Sequence, residues 1–93
     1  MNNEEARAVL REHLKTYRQR AYADLLCLQD EPDCMEVTAP SGVSYQLEFL
    51  AVYDDRERSN LRVMGSIDDG GIRAFVPLTE SFIMAPDGTF VGE

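Results

Sequence analysis

The sequence predicts an α+β domain: a long N-terminal helix packed on one face of a four- to six-stranded antiparallel sheet. Three observations predict it. Apolar residues recur at helical spacing through residues 1–30, the period switches to two from Val43 onward, and turn residues punctuate the rest at short intervals. No second periodic block and no Pro/Gly-rich linker divides the chain. Its 93 residues are therefore expected to form a single domain, 1–30 helix and 35–93 sheet.

The helix begins at Asn2 or Asn3, either of which can cap it, and Glu5 stands three residues after Asn2 as in a capping box. Ala6, Val9, Leu10, His13, Leu14, Tyr17, Ala21, Leu25 and Leu28 make one stripe, with Arg7, Arg11, Lys15 and Arg18 largely off it. Asp30-Glu31-Pro32-Asp33 ends the pattern, because proline cannot extend the hydrogen-bond ladder. An unbroken helix of that length would be roughly 38–40 Å long at about 1.5 Å per residue, enough to cross a sheet.

Met35–Thr38 reads as a short strand and Ala39-Pro40-Ser41-Gly42 as a turn. From Val43 to Tyr53 the odd positions are Val43, Tyr45, Leu47, Phe49, Ala51 and Tyr53, while the even ones begin Ser44, Gln46 and Glu48, so the strand is half-buried. Asp54–Asn60 is a charged loop. Asp69-Gly70 suits a two-residue type I′ turn, which pairs Ile67 with Ile72, Gly65 with Ala74 and Val63 with Val76 on one face. The same register sets Met64 opposite Phe75 and Ser66 opposite Arg73 on the other face. A last hairpin is predicted through Ser81–Met84, a turn at Pro86-Asp87-Gly88, and Thr89–Val91.

Composition narrows the function classes. A 44% hydrophobic, 28% charged chain can build a folded core. No apolar run approaches the roughly 18 residues of a membrane span and no charged-then-apolar leader is seen, so the expected address is cytoplasmic, with no membrane. The net charge is −8 and unevenly placed: residues 1–22 carry +2 and residues 23–93 carry −10. That much negative charge repels phosphate backbones, so nucleic acid is not an expected partner.

Candidate chemistry is sparse. Asp54/Asp55 and Asp68/Asp69 could meet a hard cation, but aspartate is favoured in turns for its own backbone hydrogen bonds, and neither pair has calcium-loop spacing. Cys27 and Cys34 read as semi-buried reduced thiols; with His13 the only histidine, no metal set and no cofactor is expected. No nucleophile elbow, P-loop or dinucleotide fingerprint is present, so an enzyme is the weaker reading. The informative feature is the sheet face the helix cannot cover. Leu50 and Val52 interrupt the polar run of the long strand there, and Met64 and Phe75 add to it, with Arg62 and Arg73 beside them. Those six residues, Leu50, Val52, Arg62, Met64, Arg73 and Phe75, are the expected partner surface.

At Ser41-Gly42-x-x-Tyr45, Gly65-Ser66-Ile67-Asp68-Asp69-Gly70-Gly71, Pro77-Leu78-Thr79-x-Ser81-Phe82-Ile83 and Pro86-Asp87-Gly88, the chain resembles a family of small bacterial proteins of uncharacterised function. The resemblance spans roughly residues 35–93. It implies a stand-alone single-domain bacterial protein and carries over no activity and no catalytic residue.

The function expected from these residues is a non-catalytic protein–protein interaction module, working as a homodimer or as an acidic, immunity-like protein that caps a basic partner. The alternative is a small-ligand-binding or enzymatic domain with a helix–sheet pocket lined by His13, Tyr17 and Tyr22.

Overall fold

In the computed structural model, which describes residues 2–70 and 77–93, α1 (Asn3–Arg18) is followed by a short α2 (Tyr22–Leu26) and a 3₁₀ turn at Cys27–Gln29. Four strands follow: β1 (Asp33–Thr38), β2 (Ser44–Tyr53), β3 (Leu61–Asp68) and β4 (Leu78–Met84). They form one antiparallel sheet in the order β1-β2-β3-β4, and α1 packs against β3 and β4. The α+β class and a helix on one sheet face are as the sequence predicts.

The predicted 1–30 helix is corrected to two pieces. Asn2 caps α1 as expected, its side chain accepting from the Glu5 amide at 3.1 Å. The Glu5 carboxylate does not return to the cap. It accepts instead from Ser41 Oγ (2.7 Å) and the Tyr45 hydroxyl (2.8 Å), which ties the first turn to the β1–β2 hairpin. The helix stops at Arg18 although residues 19–21 hold neither glycine nor proline; Ala21 is extended at φ −68°, ψ 152° and restarts the chain as the cap of α2. Sheet strands are twisted against one another, so a straight helix would leave the surface it starts on. Turning at 19–21 returns Leu25 and Leu28 to the core and exposes Ala21, a predicted stripe residue.

The core lies between Ala6, Leu10, Leu14, Tyr17, Leu25 and Leu28 on the helical side and Tyr45, Leu47, Phe49 and Ala51 of β2, the odd positions of β3, Phe82 and Met84 on the sheet side, while Tyr53, also predicted inward, is exposed. The β1–β2 hairpin is a tight turn in which the Gly42 amide reaches the Ala39 carbonyl (2.8 Å) and the Ala39 amide reaches the Val43 carbonyl (2.9 Å). Gly42 sits at φ +90°, a conformation glycine takes without strain. Val43, predicted to face the helix, belongs to this turn and is 41% exposed.

The predicted partner of β3 is also corrected. Residues 71–76, including Ile72, Arg73, Phe75 and Val76, lie outside the described residues, but both edges of β3 are occupied by other strands. β2 sets Leu47 beside Ile67 and Leu50 beside Met64; β4 sets Ile67 beside Leu78, Met64 beside Ser81 and Val63 beside Phe82. β3 ends at Asp68 with β2 and β4 on its two sides, and β4 begins at Leu78. β4 offers the helical side Phe82, Met84 and the carboxylate of Glu80, which Arg7 and Arg11 bond. The final hairpin forms as predicted but minimally, as the single Met84–Phe90 bridge with Val91 donating to Ile83 at 2.9 Å.

The charge asymmetry of the chain is partly neutralised within the fold. Arg7 and Arg11, one helical turn apart, both bond Glu80, at 3.0 and 2.8 Å. Arg18 pairs with Glu93 and lies over the Phe90 ring, and Arg20 lies over Tyr17. Burial pushes the Glu80 carboxyl up, but the two guanidinium groups outweigh it and hold it below its ordinary value. A depressed folded-state value contributes stability above the unfolded pKa of roughly 4.3 that is lost as pH falls through the folded value. Glu80→Gln is therefore expected to cost about 1 kcal/mol at pH 7, discounted for the exposed arginines, and the deficit should shrink as pH falls below the unfolded value. Thermal melts of the two proteins at pH 7 and pH 3 measure it; an equal deficit at both values would deny the ion pairs a role.

Candidate functional site

The face of the sheet opposite the helices is built from the even residues of β1, β2 and β3 and the odd residues of β4. The strand registers arrange them as rows across the sheet. One row holds Glu36, Gln46 and Asp68, and the next Cys34, Glu48, Ser66 and Thr79; then come Leu50, Met64 and Ser81, and finally Val52, Arg62 and Ile83. The face is graded, with carboxylates at one end and apolar groups at the other. Leu50, Met64 and Ile83 are half-buried, while Val52 is 44% exposed.

Of the predicted partner surface, the structure brings together Leu50, Val52, Arg62 and Met64; Arg73 and Phe75 lie outside the described residues. Glu48 lies in the polar run predicted for this face, and Glu36 and Asp68 flank Gln46 in the next row. Ile83 joins the face and was not expected; its signal was the alternation of Leu78, Glu80, Phe82 and Met84 with Thr79, Ser81 and Ile83, which marks one half-buried strand through 78–84. Arg62 is held over the apolar end by Asp54 (2.9 Å) and by Ser81 Oγ (3.1 Å). At the acidic end Glu36 accepts from Gln46 Nε2 at 2.9 Å and Glu48 from Cys34 Sγ at 3.6 Å, neutral donors that leave both charges in place.

The turn carboxylates serve their own loops. Asp55 accepts from the Ser59 and Asn60 amides at 2.8 and 3.1 Å and from the Ser59 hydroxyl, and these bonds, the hydroxyl's foremost, hold its carboxyl below the ordinary range. Asp68 accepts from the Gly70 amide and Asp87 from the Thr89 amide. Among the described residues no group of three or more His, Cys, Asp or Glu side chains is placed to hold a metal ion. Cys27 and Cys34 are free and exposed rather than semi-buried. Lost hydration and the neighbouring Glu48 raise the Cys34 thiol above its ordinary value, which keeps it protonated and a poor nucleophile.

The alternative trio does not converge. Tyr17 is buried, its ring stacked on Phe49 with centroids 4.3 Å apart and its hydroxyl donating to Asp33 at 2.7 Å. The Tyr22 hydroxyl donates to the Ser59 carbonyl at 2.6 Å, pinning α2 to the β2–β3 loop. His13 donates from Nδ1 to the Val9 carbonyl at 3.0 Å. It does line an open depression of about 420 Å³ between α1 and the end of β1, with Glu5, Val9, Glu12, Val37 and Pro40 among its walls, and neither tyrosine reaches it.

Among the described residues no helix is long and apolar enough to cross a membrane. No family model, curated protein or solved structure matches the chain.

Proposed function

We propose that this protein is a binding module that docks a cationic protein on its open sheet face, in the manner of an acidic capping or immunity protein. The grading of that face carries the proposal: Leu50, Val52, Met64 and Ile83 form an apolar end, and Glu36, Glu48 and Asp68 lie toward the other. Apolar clusters exposed on a sheet surface mark partner sites, and an acidic field speeds encounter with a basic target. A net charge of −8 on each copy opposes stacking two copies face to face and favours a partner of opposite sign.

Affinity capture from cells that make the protein, followed by calorimetry with the purified captured protein, tests this. Val52→Glu changes an exposed position, so stability should move by no more than about 0.5 kcal/mol. Binding should fall at least about 30-fold, the loss of one hot-spot contact of roughly 2 kcal/mol. Glu48→Lys should slow association and flatten its salt dependence. A captured protein that binds Val52→Glu as tightly as the parent would overturn the reading. So would a dimer in light scattering that Val52→Glu converts to monomer, since the face would then serve a second copy.

A further inference from the structure

We propose that the free edge of β1, with the groove between it and α1, is a second docking site, which takes an extended cationic peptide as a fifth strand. The groove opens on the helix side of the sheet, away from the graded face; the edge shares Glu36 with the acidic end of that face but not its apolar end at Val52.

Among the described residues β1 is an edge strand, paired with β2 alone. The Ala39 amide donates to the Val43 carbonyl, and hydrogen-bonded pairs alternate with non-bonded ones along an antiparallel ladder. Val37 with Tyr45, Met35 with Leu47 and Asp33 with Phe49 are therefore the bonded pairs. Cys34, Glu36 and Thr38 turn their N–H and C=O groups outward, three donors and three acceptors in register for another strand.

An added strand continues the pleat, so its side chains alternate between the two sides of the sheet. Those on the helix side enter the depression of about 420 Å³ walled by Ala8, Val9 and His13 of α1 and by Val37, Ala39 and Pro40. Its lining is largely apolar, with Glu5 and Glu12 at hand. Side chains on the other side come beside Glu36. The matching peptide alternates apolar residues with Lys or Arg over the roughly five or six residues the edge can pair. A second copy does not match, because its own β1 would bring Asp33 and Glu36 against the same acids. Charged residues on an edge strand commonly prevent such self-pairing.

Selection from a displayed library of random octapeptides provides the probe, and fluorescence anisotropy with the enriched peptides reads affinity. Enrichment of alternating apolar and basic sequences is expected, with exchange protection of the Cys34, Glu36 and Thr38 amides on binding. Ala8→Phe changes an exposed helix residue to fill the groove and should weaken binding at least about tenfold. Glu36→Pro removes an outward N–H that β2 does not use, a placement edge strands tolerate, and should weaken it further than Glu36→Gln does. If Glu36→Pro fails to fold by circular dichroism, Ala8→Phe decides. Val52→Glu should leave peptide binding unchanged, which separates this site from the graded face. Failure to enrich alternating peptides, binding indifferent to Ala8→Phe, or a dimer whose Cys34, Glu36 and Thr38 amides are protected without peptide would each overturn the proposal.

Discussion

Gly65→Val is expected to destabilise the domain by more than about 3 kcal/mol, above the usual range for one oversized core side chain. A Cβ at residue 65 would stand 2.6 Å from Phe49 Cε1 and 2.9 Å from Leu10 Cδ1, and both side chains are fully buried. The Phe49 ring has no easy retreat, because Tyr17 stacks on it with planes 25° apart. Valine's strand preference is worth at most about 1 kcal/mol in the opposite direction, so the clash wins. For a domain of this size the melting temperature should drop by at least about 12 °C. Gly65→Ala carries a smaller version of the same clash, and Phe49→Leu should relieve part of it. The double variant should therefore lose less than the two single losses together. A Gly65→Val protein melting within a few degrees of the parent would show that α1 can lift from β3 without cost.

Tyr17→Ala should cost about 3–5 kcal/mol, as removal of a buried aromatic ring does. The loss is structural in a particular way: Tyr17 is the last buried residue of α1 before the break, and it joins the helix to Phe49 of β2 and Asp33 of β1. Tyr17→Phe separates ring from hydroxyl and should cost only about 1 kcal/mol, since Asp33 can still be hydrated. Burial raises the Tyr17 pKa well above its ordinary value, and the hydrogen bond to Asp33 and that residue's charge raise it further, against a smaller opposing pull from Arg20. A raised folded-state value contributes stability that is complete below the unfolded pKa near 10 and is lost as pH rises toward the folded value. Parent stability should therefore fall between about pH 10 and pH 12, and the slope should be shallower in Tyr17→Phe. Urea titrations at pH 8 and pH 11 measure both. Parallel alkaline losses in the two proteins would mean that Tyr17 does not carry the effect.

Much of the candidate site was legible because strands have a period of two. Leu50 and Val52 had to share a face with Gln46 and Glu48, and Arg62 with Met64, whatever the strand order. Ile83 was not legible, because it reaches that face beside Arg62 only if residues 78–84 flank β3. The sequence between β3 and β4 offers a hairpin signal at Asp69-Gly70 that is locally sound. Pairing 78–84 instead is rewarded by Phe82 and Met84 in the core and by Glu80 under Arg7 and Arg11, gains that a turn preference does not register.

The sequence by itself determined the class of the fold, the Asn2 cap, the Gly42 turn and the inward face of β2, because each follows from contacts within a few residues. Only the tertiary structure decided where the helix breaks, which strand lies beside β3, and that the edge of β1 opens beside a groove. These depend on how a twisted sheet and a straight helix share one surface, and on which distant side chains then meet across it. Local patterns limit what each segment can be, and the choice among the arrangements they allow is made by burial and charge pairing summed over the whole chain.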